Sequence, residues 1–278
     1  MTATVAADFD PFVTDGDDLE RLREALTRFV RASVEGADAN GVVVNMSGGI
    51  DSTVTATLAV DALGPDRVYG LVLPSNLGAE ANTVDAIATA DSLGIDYSRV
   101  QLLPLMTQFL DRMAPAVDPR NERTALGNVT ARLRMTCAYF VANGRSSLVV
   151  GTTNRAEALL GYFTKHGDGG ADLLPLGDLY KTQVRALARA LDVTAHIVEK
   201  PSTAGLWTGQ TDEDDLGASY ATIEAVLHAL VDRGWGVERI AAELDVSLST
   251  VERFDRAHRE SHHKRPLAVE GFDAVVGG

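Results

Sequence analysis

Along the first 150 residues, apolar positions switch repeatedly between a helical period and short unbroken runs. Residues 17–36 place Leu19, Leu22, Leu26, Phe29 and Val30 close to helical spacing. Residues 42–46 form a short, mostly β-branched apolar run, the expected form of a strand buried on both faces. Residues 52–63 read as a helix ending at Gly64-Pro65, and 68–73 as a second strand stopped by Pro74. A helix over 79–93 stops at Gly94, and a third strand follows over 97–103. After a proline-punctuated stretch at 114–119, a helix over 124–143 leads to a fourth strand at 147–151. This alternation predicts an α/β fold, a doubly wound parallel sheet with flanking helices, followed by a C-terminal helical segment. Without repeat or linker, residues 1–278 are expected to form one domain, with flexible ends at 1–16 and 268–278.

In such sheets ligands bind beyond the carboxyl ends of the strands. Three motif-bearing turns fall there, at residues 47–52, 74–76 and 151–157. Their convergence says more than any one of them.

Composition narrows the classes. No apolar run approaches the roughly 20 residues needed to span a bilayer. The N-terminus lacks the basic and apolar regions of a signal peptide, so a cytoplasmic protein is expected. Cys137 is the sole cysteine, which rules out an intrachain disulfide and a cysteine-based zinc site. The formal net charge is −14, from 25 Asp and 14 Glu against 21 Arg and only 4 Lys. Such a surface repels nucleic acid and anionic membrane, and it suits concentrated salt, where screening removes self-repulsion. The composition points to a halophilic source. It also makes Lys165, Lys181, Lys200 and Lys264 candidates for positions that need a compact ammonium.

The stretch VVVNMSGGIDSTV, residues 42–54, carries the first chemistry. Ser47-Gly48-Gly49 can turn successive backbone N–H groups toward an anion, and the following helix adds its positive end. Hydroxyls of Ser47 and Ser52 can donate as well. Asp51 would repel phosphate unless a metal ion lay between them. A glycine pair alone reads as a turn; SGGIDS after a strand is far more specific.

That string resembles the pyrophosphate-binding loop of the N-type ATP pyrophosphatases, which split ATP between its α and β phosphates and adenylate a substrate oxygen. Within that superfamily, NVTARLRMTCAYFVAN (128–143), VVGTTNRAEALLGYFTKHGDGGADLLPLGDLYKTQVRALA (149–188), EKPSTAGLWTGQTDEDDLG (199–217) and HHKR (262–265) resemble successive blocks of the NAD synthetases. The resemblance runs over roughly residues 19–267 and implies an adenine nucleotide alpha hydrolase-like fold. It implies ATP-dependent amidation of deamido-NAD to NAD through an adenylated nicotinate carboxylate, in a homodimer. Only a short stretch precedes the first expected helix, so no glutamine-hydrolysing domain is expected; Cys137 sits in an apolar helical context, and ammonia is the expected nitrogen donor.

Carried over residue by residue, the resemblance assigns ATP to Asn45, Met46, Ser47, Gly48, Gly49, Ile50, Asp51, Ser52, Thr152, Lys181 and Thr203. It assigns Mg2+ to Asp51 and Glu157. Two carboxylates plus ATP phosphates make a normal magnesium site, and the ion would screen both acids from phosphate. Lys181 would supply the cation that the opening loop lacks. Arg132, Lys165, Asp172, His263 and Lys264 match positions for deamido-NAD, whose pyrophosphate and carboxylate suit cations. Asp168 matches an acid near the reacting centre that could take a proton from ammonium.

The chain departs from the family at Asn45-Met46, at His166, and in the turn from Leu73 to Asn76, which lacks an arginine. Lys200 receives no role. Thiolating relatives would need more cysteine, and GMP synthetases a different C-terminal region. A further competitor lies at residues 236–256, where I-A-x-x-L-x-V-S-x-x-T-V resembles a helix-turn-helix. Glu238, Glu243, Asp245, Glu252 and Asp255 make that segment a poor match for phosphate, so two packed helices are expected there instead.

Overall fold

A computed structural model of the chain describes residues 16–75, 80–113, 116, 122–203 and 209–266. The first expected helix is α1 (Gly16–Gly36), and the first strand is β1 (Val42–Asn45). α2 (Ile50–Leu63) leads to β2 (Val68–Val72), and α3 (Glu80–Leu93) to β3 (Asp96–Arg99). α4 (Leu103–Met113) and the long α5 (Glu122–Arg145) then precede β4 (Leu148–Val150). The strands pair in parallel in the order β3-β2-β1-β4. Val150 also bridges Leu173 in parallel, extending the β4 edge by one residue.

The unbroken apolar run of β1 is explained by what covers it. Val42 and Val44 pack with Val30, Val34 and Ala59 on one face, while Val43 packs with Leu71, Ala138, Ala142 and Val149 on the other. A strand buried on both sides has no polar face to show. Cys137 is half-buried beside this second cluster, and burial raises its thiol pKa. It packs, as its apolar setting implied.

Two expectations change. The third strand is shorter than 97–103, because Pro104 sits in the first turn of α4, where its missing N–H is no loss. Leu102, Leu105, Met106, Phe109, Leu110 and Met113 then follow helical spacing. The helix expected at 52–63 begins at Ile50, so that Asp51 lies in its first turn.

The α1 stripe of Leu19, Leu22, Leu26 and Val30 is buried within the chain, much of it against α2 and α7 (Lys181–Ala190). α8 (Ala195–Glu199) and α9 (Asp212–Leu216) follow, and α10 (Tyr220–Leu227) runs into a π-helical turn over His228–Asp232. The segment resembling a helix-turn-helix forms α11 (Val237–Glu243) and α12 (Leu248–Glu260). Their Ile240, Val251 and Phe254 are buried with Tyr220, Ile223 and Leu227, so these helices build a core. Gly16 opens α1; the other expected flexible ends, residues 1–15 and 268–278, lie outside the described residues. Among the described residues no helix is long and apolar enough to cross a membrane.

Candidate active site at the sheet switch point

Between β1 and β4 the chain order reverses, and the connections leave in opposite directions. The turns after these two strands therefore open onto one crevice. The β1 turn begins with Met46, whose backbone N–H donates to Leu71 O at 2.7 Å. The side chains of Met46 and Ile50 are buried in the core, so any ligand contact from either runs through the backbone.

The loop is braced by its own hydroxyls. Ser52 Oγ is 3.0 Å from Ser47 Oγ and donates to Gly49 O at 3.0 Å, and Gly49 N–H donates to Ser47 Oγ at 3.3 Å. Ser52 is buried, and its hydroxyl holds the turn's shape. Gly48 has φ +75°, and a Cβ there would come within 2.1 Å of Asn82 O on α3. Only glycine fits both the conformation and the space. At the end of β1, Asn45 carries a buried Oδ1 with no hydrogen-bond partner.

The β4 turn supplies Thr152, half-buried, and Asn154, which caps α6 (Arg155–Leu160). Asn154 Oδ1 accepts from Glu157 N at 3.1 Å, Glu157 Oε2 accepts from Asn154 N at 3.2 Å, and Asn154 Nδ2 donates to Asp51 Oδ1 at 3.4 Å. This capping box fixes the Glu157 carboxylate and ties it to the loop after β1.

Lys181, at the start of α7, completes the cluster. Its side chain is 1% exposed, and its ammonium pairs with Asp51 Oδ2 and lies 3.7 Å from Glu157 Oε1. Burial works against the charged ammonium, but Asp51 and Glu157 outweigh it and raise its pKa above the ordinary value. Burial pushes Glu157 up to about 8; Lys181 opposes this, while Asp51 and Asp212 add to it. Asp212, buried at the start of α9, accepts from Tyr220 OH at 2.9 Å, and its Oδ1 has no hydrogen-bond partner. Three carboxylates thus surround one ammonium. The excess negative charge, the oxygen donors and the orphaned Asp212 Oδ1 fit a hard divalent cation. Among the described residues, no three His, Cys, Asp or Glu are placed to hold a metal by themselves, so such a cation would need oxygens from a phosphate ligand too.

Most of the dinucleotide candidates gather in a second group. Arg132 Nη2 donates to Lys165 O at 3.2 Å, Lys165 Nζ to His263 O at 2.7 Å, and Lys264 Nζ to Gly161 O at 2.8 Å and Phe163 O at 3.1 Å. Asp168 Oδ1 accepts from Thr164 N at 3.0 Å. Solvent reaches Asp168, yet the protein around it pushes its carboxyl up, with the Thr164 N–H and the Arg134 charge opposing. Asp172 stands apart: its oxygens accept from Tyr139 OH at 3.0 Å and Val149 N at 2.7 Å, which binds it to the β4 edge. Thr203 is exposed, at the edge of the undescribed residues 204–208.

Sequence reasoning missed Asp212, Asn154 and Arg134. Asp212 was hidden in the acidic run TDEDDL, which reads as solvated surface. The Thr211 cap turns its first aspartate inward. Arg134 donates to Leu73 O at 3.3 Å and Ser75 Oγ at 3.1 Å. It brings a guanidinium from α5 to the β2 turn that has no arginine of its own.

Of the four lysines of this lysine-poor chain, Lys181 and Lys200 bond the segment after β1, while Lys165 and Lys264 hold the backbone carbonyls of His263, Gly161 and Phe163. The chain is 44% identical over 251 residues to the NH3-dependent NAD+ synthetase of Hyperthermus butylicus, covering 90% of each chain. It is 44% identical over 250 residues to that of Halobacterium salinarum, covering 90% of this chain and 92% of the relative. A solved NMN synthetase from Francisella tularensis superposes with a TM-score of 0.80 at 36% identity, over 95% of this chain and 99% of that one. Residues 22–268 match the sequence profile described as NAD synthase, and the chain belongs to the NAD synthase family.

Proposed function

We propose that this chain makes NAD from deamido-NAD, ATP and ammonia through an adenylated nicotinate carboxylate, releasing AMP and pyrophosphate. The carrying observation is the cluster of Asp51, Glu157, Asp212 and Lys181 beside a glycine loop braced to cradle an anion. The names of the Hyperthermus and Halobacterium relatives support the choice of reaction.

Backbone N–H groups of Gly48 and of residues 50–52, at the start of α2, hold the ATP polyphosphate. A substrate carboxylate oxygen attacks the α-phosphorus, and the bond from that phosphorus to the α,β-bridging oxygen breaks, with pyrophosphate leaving. Lys181 keeps Asp51 and Glu157 in place and offsets charge as pyrophosphate forms. Mg2+, held by Asp51 and Glu157 with phosphate oxygens, would neutralise the polyphosphate. Asp168 takes a proton from ammonium; the amine attacks the acyl carbon, and AMP departs with the carboxylate oxygen. The upward push on Asp168 makes its carboxylate a better proton acceptor than an ordinary one. Arg132, Lys165, His263 and Lys264 bind the dinucleotide's anionic groups, with Asp172 at its edge. Thr152 and Thr203 contact ATP.

The second copy of a homodimer would cover Leu105, Phe109 and Met113 of α4 and Phe140 of α5, which is 80% exposed. Because one solved relative is named for NMN synthesis, the mononucleotide acid is the competing acceptor. The test of the chemistry is 18O in the nicotinate carboxylate. One labelled oxygen should appear in AMP; label in inorganic phosphate, with ADP formed, would refute adenylation.

A further inference from the structure

Lys200 is the lysine that the activity leaves without a task. It ends α8, and its Nζ donates to Asp85 Oδ2 on α3 at 2.6 Å and to Gly48 O at 3.3 Å. Three elements distant in sequence therefore meet at one loop carbonyl. Lys200 is about one-fifth exposed and Asp85 slightly less. His196 Nε2 also approaches Asp85 Oδ2, at 3.3 Å, from the solvent side. The pair is set firmly: burial opposes the Asp85 charge, yet the Lys200 hydrogen bond and charge hold its carboxyl below the ordinary range.

The position of the contact gives it meaning. In a loop that binds phosphate through N–H groups, a carbonyl facing the ligand would repel it. A trans peptide points its C=O and N–H in opposite directions, so fixing one fixes the other. Lys200 holds the Gly48 carbonyl, while the Gly49 N–H of the same peptide turns to Ser47 Oγ. Gly48 also lies so near Asn82 O that the loop cannot slide toward α3.

We propose that Lys200, anchored by Asp85, is a positioning residue for polyphosphate binding, holding the Gly48–Gly49 peptide with its carbonyl turned away from the ligand. This rests on the reading of the loop as the ATP site. It gives a task to an ammonium at position 200 in a chain with only 4 lysines. The ligand class it serves is the β,γ-diphosphate of a nucleoside triphosphate, or free pyrophosphate, rather than a monophosphate.

The test uses Lys200→Met, Lys200→Arg and Asp85→Asn in the full chain, with MgATP, pyrophosphate and AMP as calorimetric ligands and steady-state KM values beside them. Lys200→Met should weaken MgATP and pyrophosphate about tenfold, the scale of a lost charge-assisted hydrogen bond. AMP binding and the KM for deamido-NAD should stay within about twofold on the same scale. Lys200→Arg should recover most of the loss, because guanidinium can reach both the carboxylate and the carbonyl. Asp85→Asn should fall between. A Lys200→Met protein binding pyrophosphate as the wild type does would overturn the inference while leaving the ATP site intact. Equal weakening of AMP and deamido-NAD would also overturn it, by showing a general loss of structure. If the wild-type protein itself bound neither MgATP nor pyrophosphate, the reading of the site would fail first.

Discussion

Lys181, at the start of α7, is ion-paired with Asp51, in the first turn of α2, across 130 residues of sequence. The ammonium is nearly inaccessible and also serves Glu157 at 3.7 Å. It is thus committed to the acids of the site, and its effect on phosphate acts through them as well as directly. Lys181→Met should abolish pyrophosphate release driven by deamido-NAD. It should also lower stability by about 3 kcal/mol, because the clustered acids are left without their counter-charge. Chemical denaturation beside the pyrophosphate assay checks both. A stable variant with near-normal turnover would refute the role.

Asp212 adds negative charge where a divalent cation is expected. Asp212→Asn should raise the Mg2+ concentration needed for half-maximal activity about threefold to tenfold, the worth of one nearby carboxylate in a partly screened site. Tyr220→Phe removes the donor to Asp212 but no charge, so its Mg2+ dependence should move less. Titrations of activity against Mg2+ for both variants decide this; equal shifts would contradict it.

Gly48 and Gly49 are neighbours with opposite tolerances. Gly48→Ala must accept a φ of +75° and displace Asn82 O, so MgATP binding should fall by about tenfold or more. Gly49 caps α2 at φ −99°, and the nearest atom to an added Cβ is Ser47 Oγ at 3.4 Å. Gly49→Ala should fold and bind MgATP within about threefold of the wild type. Calorimetry with both variants separates loop geometry from simple glycine loss.

Asp232 links α6 to the C-terminal helices. Burial opposes its charge, but hydrogen bonds from His228, Arg155 and Tyr180, with the Arg155 charge, hold its pKa below the ordinary value. A depressed carboxylate stabilises the fold above its unfolded pKa of about 3.9, and that contribution fades as pH falls through the folded value. Asp232→Asn should therefore cost about 1–3 kcal/mol at pH 6, with the gap narrowing below about pH 4. Thermal melts across pH would expose a constant gap, which would exclude this origin.

Much of this architecture was legible in the residues. β1 announced itself because a strand covered on both faces must be apolar throughout, and SGGIDS marked the turn after it. Asp51 and Glu157 were singled out because each matches a family position in a distinctive string after a strand, and the fold brings both to Lys181. Asp212 was not, because acidity in a run of acids does not say which member a cap turns inward. The commitment of Lys181 to Asp51 was equally hidden: spacing along a chain carries no sign of a pair 130 residues apart. α4 was missed because a proline in the first turn of a helix looks the same in sequence as one that ends a strand.

The most direct measurement is amide formation by the purified chain from ATP and Mg2+, with deamido-NAD or nicotinate mononucleotide as acceptor and ammonium or glutamine as donor. Deamido-NAD with ammonium should give NAD, AMP and pyrophosphate in equal amounts, and glutamine should not replace ammonium. Preference for the mononucleotide acid, or amide formed with ADP and phosphate instead, would contradict the proposed reaction.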